Sequence, residues 1–275
     1  MKNRFAGLLP LLPVAALLVA CGSHGEGSAL KTGSSLTAPR LGTSTSFLVL
    51  AGATVTNTGP SMIFGDVGVS PGSAVTGFPP GLQTDGAMYK ADAVALKAQG
   101  DLTTAYNEVD AAPCTQNLTG KDLGGLTLLE GVYCFDSSAQ LTGGLRLDAK
   151  GKSDAVFIFK TVSTLTTASN ASVLVINGGS GCNVFWKVGS SATVGTGSKF
   201  SGSILALTSI ALQTGATVDG RALARNGEVT LDNNVISVGK CVAVGIPDSG
   251  TTTPDAGPET APPPPPCDEE SADCT

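Results

Sequence analysis

The sequence predicts a mostly β protein built as a β-solenoid with one helix, and three observations support this prediction. The chain of 275 residues is rich in glycine (36) and low in charged (14%) and aromatic (5%) residues, yet 41% hydrophobic content can support a core. Short segments rich in valine, isoleucine and phenylalanine alternate with turns of small residues. A weak repeat of small residues recurs between these segments, as expected of stacked solenoid coils.

The N-terminus has the pattern of a bacterial lipoprotein signal. Two early basic residues precede an apolar run that ends in Leu18-Val19-Ala20-Cys21. This run resembles a lipobox, so residues 1–20 are expected to be a signal peptide and Cys21 to carry a lipid; an ordinary signal peptide followed by a chance cysteine is the alternative. Gly22 after the cysteine favours an exported protein at the outer membrane or cell surface, attached to the membrane only through Cys21.

Composition divides the rest of the chain into a tether, a domain and a tail, and the charges are unevenly distributed among these segments. Residues 21–45 are small and polar and predict a flexible tether, residues 46–245 form the domain, and residues 246–275 form a Pro-rich acidic tail expected to be disordered. Seven of the 22 acidic residues lie in the tail and two of the 16 basic residues in the signal peptide, so residues 21–247 carry 15 acids and 14 bases. A nearly neutral domain offers no electrostatic surface for nucleic acid.

Cysteine usage fits an oxidising compartment. Without Cys21, six of the seven cysteines remain, and six cysteines allow fifteen pairings. We prefer the sequential pairing, namely Cys114–Cys134, Cys182–Cys241 and Cys267–Cys274.

One segment is predicted to be helical, at about residues 86–110. Its small and aliphatic residues fall three or four apart and form an amphipathic face, at Ala91, Val94, Ala98, Leu102, Ala105 and Val109. Asp85 is the candidate cap at its start, and Pro113 lies just beyond its end.

The remaining elements are predicted to be short strands joined by small-residue turns. The predicted strands are Phe47–Leu50, Val156–Lys160, Val173–Ile176, Val184–Val188, Ile204–Leu207, Ser209–Leu212, Glu228–Leu231 and Val235–Val238. The repeat copies are 51–55, 137–141, 190–194 and 214–218, with a looser one at 167–171, and the last two strong copies lie 24 residues apart. This interval is typical of a solenoid coil, with the aliphatic residue of each copy pointing inward.

Several separated motifs resemble the bacterial and fungal ice-binding proteins of the DUF3494 type. They occur in order along about residues 43–242 and read IFGDVGVSPG (63–72), the helix after Gly86, LEGVYC (129–134), CNVFW (182–186) and GRALA (220–224). The resemblance implies a discontinuous right-handed β-solenoid of triangular cross-section, with a long α-helix packed along it. It also implies that one flat β-face binds ice.

Candidate ice-binding residues come from the T-[A/G]-x-[T/N] motif that some members of that family carry on this face. Two segments fit it, 167–170 and 214–217. Two depart from it, 51–54 and 190–193, and 137–140 departs further. The candidates are therefore Thr54, Thr167, Ala168, Asn170, Ser190, Thr193, Thr214, Gly215 and Thr217. Threonine offers a methyl and a hydroxyl group on a stiff side chain, and stacked strands repeat every ~4.7–4.9 Å, comparable with spacings in ice. The alternative is that these residues only form β-corners.

The sequence offers little for catalysis. The single histidine, His24, lies in the tether, which excludes a Ser–His or Cys–His site in the domain. The densest charged cluster, Asp219 to Asp232, is interpreted as surface ion pairs or as arginines that bond turn carbonyls. We expect no enzyme activity, cofactor or metal, and a monomer whose partner is an ice crystal surface. A non-enzymatic adhesive or structural module that binds another surface or a polysaccharide is the alternative.

Overall fold

The computed structural model describes residues 36–239. The predicted signal peptide, Cys21, the acidic tail and Cys241, Cys267 and Cys274 lie outside the described residues, so the predictions about them stay predictions.

The described chain is mostly parallel β-sheet with one α-helix. Seven strands precede the helix: β1 (Phe47–Ala51), β2 (Thr54–Asn57), β3 (Met62–Phe64), β4 (Asp66–Val69), β5 (Ala74–Thr76), β6 (Leu82–Thr84) and β7 (Met88–Lys90). Helix α1 (Ala93–Ala111) follows. The other strands are β8 (Gln116–Asn117), β9 (Thr127–Leu128), β10 (Gly131–Phe135), β11 (Ala139–Leu141), β12 (Gly144–Asp148), β13 (Phe157–Thr161), β14 (Leu165–Thr167), β15 (Ser172–Ile176), β16 (Val184–Val188), β17 (Ala192–Val194), β18 (Lys199–Ala206), β19 (Ile210–Leu212), β20 (Thr217–Ala224), β21 (Val229–Leu231) and β22 (Val235–Ser237).

These strands stack in three rows, because each coil of the chain contributes one strand to each row. One row is a separate seven-stranded sheet in the order β11-β14-β17-β19-β21-β2-β5. The other two rows belong to one fifteen-stranded sheet, joined by the long strands β18 and β20. The residues of β18 show the join, since Lys199 pairs with β15 in one row whereas Ser203 pairs with β16 in the other.

The stacking order is discontinuous in sequence. The last coil of the described chain, with β20, β21 and β22, pairs directly with the first coil, with β1, β2 and β3. The pairs Val49–Ala222, Val55–Val229 and Met62–Val235 carry this junction. The N-terminal strands therefore extend the stack beyond the C-terminal ones, and the two parts of the chain stabilise each other.

The core runs along the middle of the stack. A column of aromatic rings crosses four strands, with ring centroids 5.3 Å apart for Tyr133–Phe159, 3.9 Å for Phe159–Trp186 and 5.0 Å for Trp186–Phe200. The Trp186 indole N–H donates to the carbonyl of Ser201 at 3.1 Å, so its polar atom is satisfied inside the core.

Glycine at one corner lets successive coils approach closely. A Cβ on Gly52 would lie 2.3 Å from the carbonyl oxygen of Arg225 in the neighbouring coil, and one on Gly189 would lie 2.2 Å from that of Val162. Any larger residue would push the coils apart at this corner.

Helix α1 covers one of the two rows of the large sheet and starts later than predicted. It begins at Ala93, where the carboxylate of Asp92, rather than Asp85, accepts the backbone N–H of Ala95 at 2.8 Å. Asp85 adopts a left-handed backbone (φ 56°) ahead of β7, so the chain is not yet helical there. The buried face of the helix includes Ala95, Ala98, Gln99, Leu102, Ala105, Tyr106 and Val109, whereas Val94 is exposed.

Basic residues of the sheet hold the C-terminal end of this helix. Lys187 lies 2.7 Å from the carboxylate of Asp110, and its ammonium group also lies over the ring of Tyr106. Lys160 donates to the backbone carbonyls of Asp110 and Ala112. Cations at this position interact favourably with the helix dipole, so the helix is fixed in register on the stack.

The first predicted disulfide is confirmed. Cys114 and Cys134 are bonded across 20 residues, which ties the segment after the helix to β10. Cys182 is also disulfide-bonded, and the predicted partner, Cys241, lies outside the described residues.

No helix within residues 36–239 has the length and hydropathy needed to cross a membrane.

The predicted strands all correspond to observed strands, with shifts of a few residues at their ends. Val184–Val188 is reproduced as predicted. Predicted Ile204–Leu207 is the second half of the longer β18. The other fourteen strands of the described chain were not predicted, and most of them have only two to four residues, such as β3, β5, β6 and β7.

Candidate functional site

The seven-stranded sheet presents one continuous row of outward side chains. One outward residue of each strand is in register with that of the next strand, and together they form the middle row: Gln140, Thr166, Thr193, Ala211, Thr230, Thr56 and Thr76. Five of these seven residues are threonines. Their neighbours on both sides point into the core, as shown by the buried–outward–buried pattern of β11, β14, β17, β19 and β21.

Two further rows of small or polar residues flank the middle row. The residues two positions before the middle-row residues form the leading row: Ser138, Thr164, Ser191, Ser209, Glu228, Thr54 and Ala74. Their side chains contact across the coils, since the Thr164 hydroxyl donates to that of Ser138 at 2.8 Å. The residues two positions after the middle row form the trailing row on six of the strands: Thr142, Ala168, Gly195, Gln213, Asp232 and Thr58.

The spacing of these rows is set by the sheet itself. Adjacent strands lie ~4.8 Å apart, and alternate residues along a strand lie about 6.6 Å apart. The residues beneath, among them Ile210, Leu212 and Val229, are buried and pack against the core. The three rows therefore form a shallow two-dimensional array on a rigid support, which we call the candidate face.

The candidate face is almost free of charge. Strands β11, β14, β17, β19, β2 and β5 contribute only neutral residues to the three rows. Strand β21 is different, because Glu228 and Asp232 flank Thr230. The carboxylate of Asp232 accepts the Thr214 hydroxyl at 2.5 Å, whereas Glu228 is exposed.

Three predicted site residues lie on this face. Thr193 is in the middle row, Thr54 is in the leading row and Ala168 is in the trailing row. Ser190 lies at the corner before β17, where its backbone N–H donates to the carbonyl of Ser163.

Thr167 is not a surface residue, so its assignment to a binding face is wrong. Its side chain is 3% exposed and points into the core, one residue away from the outward Thr166. Its hydroxyl accepts the backbone N–H of Gly195 at 2.8 Å and lies 3.4 Å from the hydroxyl of Ser198. This threonine satisfies backbone groups at a corner.

The other predicted residues lie beyond the seven-stranded sheet. Asn170 (φ 57°) and Gly215 (φ 72°) occupy turns with a left-handed backbone, and Thr214 precedes Gly215 in its turn. Thr217 begins β20 in the large sheet, where it pairs with Lys199 and Val235. The assignment of these four residues to one flat face is therefore corrected by the topology.

Sequence reasoning missed six of the seven middle-row residues. The signal that could have found them is an apolar–Thr–apolar triplet, as in Val229-Thr230-Leu231 and Ala192-Thr193-Val194. The two strongest repeat copies instead lie at two different corners of the coil. Copy 190–194 lies in the seven-stranded sheet, whereas 214–218 enters the large sheet, so their 24-residue interval is not the coil period.

The charged cluster between residues 219 and 232 is dispersed in the structure. Arg221 is buried and donates to the backbone carbonyl of Thr45 at 2.9 Å, and Arg225 lies over the Tyr106 ring. This supports the interpretation that these arginines are structural. Within residues 36–239, no group of three or more histidine, cysteine or acidic residues is placed to hold a metal ion.

The fold and this face define a class: a parallel β-solenoid stack that displays a flat, nearly neutral, hydroxyl-bearing surface. The family model described as Ice-binding-like matches residues 49–237. The chain therefore belongs to the ice-binding-like family.

Named relatives and solved structures agree with this assignment. The chain is 57% identical over 198 residues to the ice-binding protein of Nostoc sp. strain HG1, which covers 72% of this chain and 73% of that protein. The crystal structure of an ice-binding protein from the Antarctic ascomycete Antarctomyces psychrotrophicus superposes with a TM-score of 0.72 at 41% identity, covering 74% of this chain and all of that one. The DUF3494 domain of Shewanella frigidimarina ice-binding protein 1 gives a TM-score of 0.68 at 30% identity, covering 74% and 98%.

Proposed function

We propose that this protein adsorbs to ice through the candidate face and so inhibits ice growth or recrystallisation. The observation that carries the proposal is the unbroken register of the middle row, in which five of seven outward residues are threonines. Family membership and the named ice-binding relatives support it.

The mechanism follows from the chemistry of the face. Each threonine presents a methyl and a hydroxyl group in a restricted rotamer, and the sheet repeats these groups at fixed distances. Such a surface can order its first water layer at little further entropic cost, since the protein side is already rigid. Adsorbed molecules make the ice front curve between them, which lowers its freezing point.

We further propose that the stack is a right-handed solenoid of triangular cross-section. Three strands per coil in three rows support a triangular section, and parallel crossovers are right-handed in ≈ 98% of cases. We also propose a non-enzymatic function for this domain, since its buried polar groups act in turns, caps and corners.

The location of the protein is a separate proposal. We propose export and attachment to the outer membrane or cell surface through a lipid on Cys21, on the basis of the lipobox-like segment 18–21. Partition of the chain into the detergent phase of a Triton X-114 extract should be lost on Cys21→Ser. Equal partition of both chains would overturn the anchor.

The test of the ice proposal is ice-affinity partitioning of the purified chain. A slowly growing ice shell should incorporate the protein, whereas a globular protein without ice affinity is excluded. Concentration in the liquid, with unchanged ice recrystallisation, would overturn the proposal and favour the adhesive alternative.

A further inference from the structure

The candidate face is interrupted at one strand. Glu228 occupies the leading row directly before β21, between Ser209, which directly precedes β19, and Thr54 on β2. Its backbone N–H donates to the Ser209 hydroxyl at 3.3 Å, which places it within the same array. Among residues 36–239, no basic side chain forms a salt bridge with Glu228.

An exposed carboxylate on a flat face has a specific consequence. Its hydration shell is tightly held, and removing that water without a compensating partner is unfavourable. Water held around a full charge is also oriented by that charge rather than by the lattice of neighbouring hydroxyl groups. At the trailing end of the same strand, Asp232 already accepts the Thr214 hydroxyl, so its carboxylate has a protein partner.

We propose that Glu228 divides the candidate face into two ice-contacting areas and lowers its affinity for ice. The larger area covers β11, β14, β17 and β19, and the smaller one covers β2 and β5. This inference rests on the proposed function, and it identifies the residue that limits adsorption. The neutral residues at the equivalent positions of the other six strands form the reference within the molecule.

The first test measures the concentration that halves the rate of ice recrystallisation. Glu228→Gln and Glu228→Thr should lower this concentration roughly two- to fivefold, because adsorption no longer requires removal of water from a charge. The matched control is Asp154→Asn, which removes an exposed carboxylate between β12 and β13, away from the seven-stranded sheet. It should leave the value unchanged, with the melting temperature recorded for every variant.

A second measurement tests the division into two areas. In the unmodified chain, Thr56→Tyr should reduce activity only slightly, because it affects the smaller area. In the Glu228→Thr background the two areas merge, so the same substitution should reduce activity by a larger factor. Such non-additivity is expected only of coupled sites.

The outcomes separate this inference from the proposed function. If the unmodified chain is incorporated into ice but Glu228→Gln and Glu228→Thr inhibit no better than it does, the inference is overturned and the proposed function stands. If the unmodified chain is excluded from ice, both are overturned. A gain confined to the Glu228 variants, with additional sensitivity at Thr56, supports the inference.

Discussion

The two solenoid rows that the helix leaves uncovered differ in their outward chemistry. In the seven-stranded sheet the middle row reads Gln, Thr, Thr, Ala, Thr, Thr, Thr. In the other uncovered row of strands, here called the third row, a comparable line of register partners contains Gly144, Ser172, Lys199, Thr217, Val235, Met62 and Leu82.

This difference shows that the backbone array alone does not make a binding face. Both rows have parallel strands at the same spacing. The third row mixes a lysine with exposed Val235, Met62 and Leu82, so its water-facing groups do not repeat. A periodic surface requires the same side chain on successive coils, and the seven-stranded sheet comes close to this.

The largest expected effect comes from the buried residues beneath each row. It tests whether ice activity depends on the packing beneath the candidate face. Ile210 lies under the seven-stranded sheet and Ile236 under the third row, and both are fully buried. Substitution of either by alanine should reduce the free energy of unfolding by about 2–5 kcal/mol, measured by urea denaturation. Below the melting temperature, only Ile210→Ala should also reduce ice activity. Equal loss of activity in both variants would mean that global stability, rather than the flatness of one sheet, determines activity.

A variant without the disulfide tests whether stability can be lowered without a change in ice activity. The bond between Cys114 and Cys134, 20 residues apart, joins the segment after the helix to β10, in the row that the helix covers. Replacement of both cysteines by serine should reduce the free energy of unfolding by about 3 kcal/mol. Ice activity of the folded variant should not change. A parallel loss of activity would show that the helix end influences the candidate face.

A smaller effect concerns the contact between the N-terminal segment and the helix. The Thr43 hydroxyl and backbone N–H donate to Asp101 at 2.6 and 2.7 Å, which with Lys97 lowers the pKa of Asp101 to about 2. An unfolded aspartate titrates near 3.9, so this stabilisation is complete above about pH 4 and is lost as the pH falls towards 2.

Asp101 is partly exposed, so solvent screening limits its contribution to roughly 1 kcal/mol. The variant Asp101→Asn should therefore have a flatter dependence of unfolding free energy on pH between 4 and 2, measured by urea denaturation. An unchanged slope would show that this carboxylate does not contribute to acid sensitivity.

The sequence was sufficient to predict the fold class because its signals are local. Composition and periodicity predicted the helix and eight of the strands. The Cys114–Cys134 bond belonged to one preferred pairing among fifteen, and the discontinuous solenoid was implied by the family resemblance. The start of the helix was displaced because β7 occupies Met88–Lys90, a segment too short to be distinguished from a helical turn.

The binding face was only partly predictable, for two physical reasons. A strand alternates its side chains, so an error of one residue exchanges the outward Thr166 for the buried Thr167. The repeat is also uneven, since Leu165, Ala192, Ile210 and Val229 occupy equivalent positions at unequal intervals. The junction between β22 and β3 is long-range and leaves no local pattern.

We expect ice to contact the middle row of the seven-stranded sheet and not the third row. Thr193→Tyr places a bulky ring in the middle row, and Thr84→Tyr places the same ring on an exposed residue of the third row. The measurement is thermal hysteresis of both variants at equal concentration. We expect Thr193→Tyr to lose most of the activity and Thr84→Tyr to keep it. Retained activity in Thr193→Tyr with loss in Thr84→Tyr would contradict this expectation.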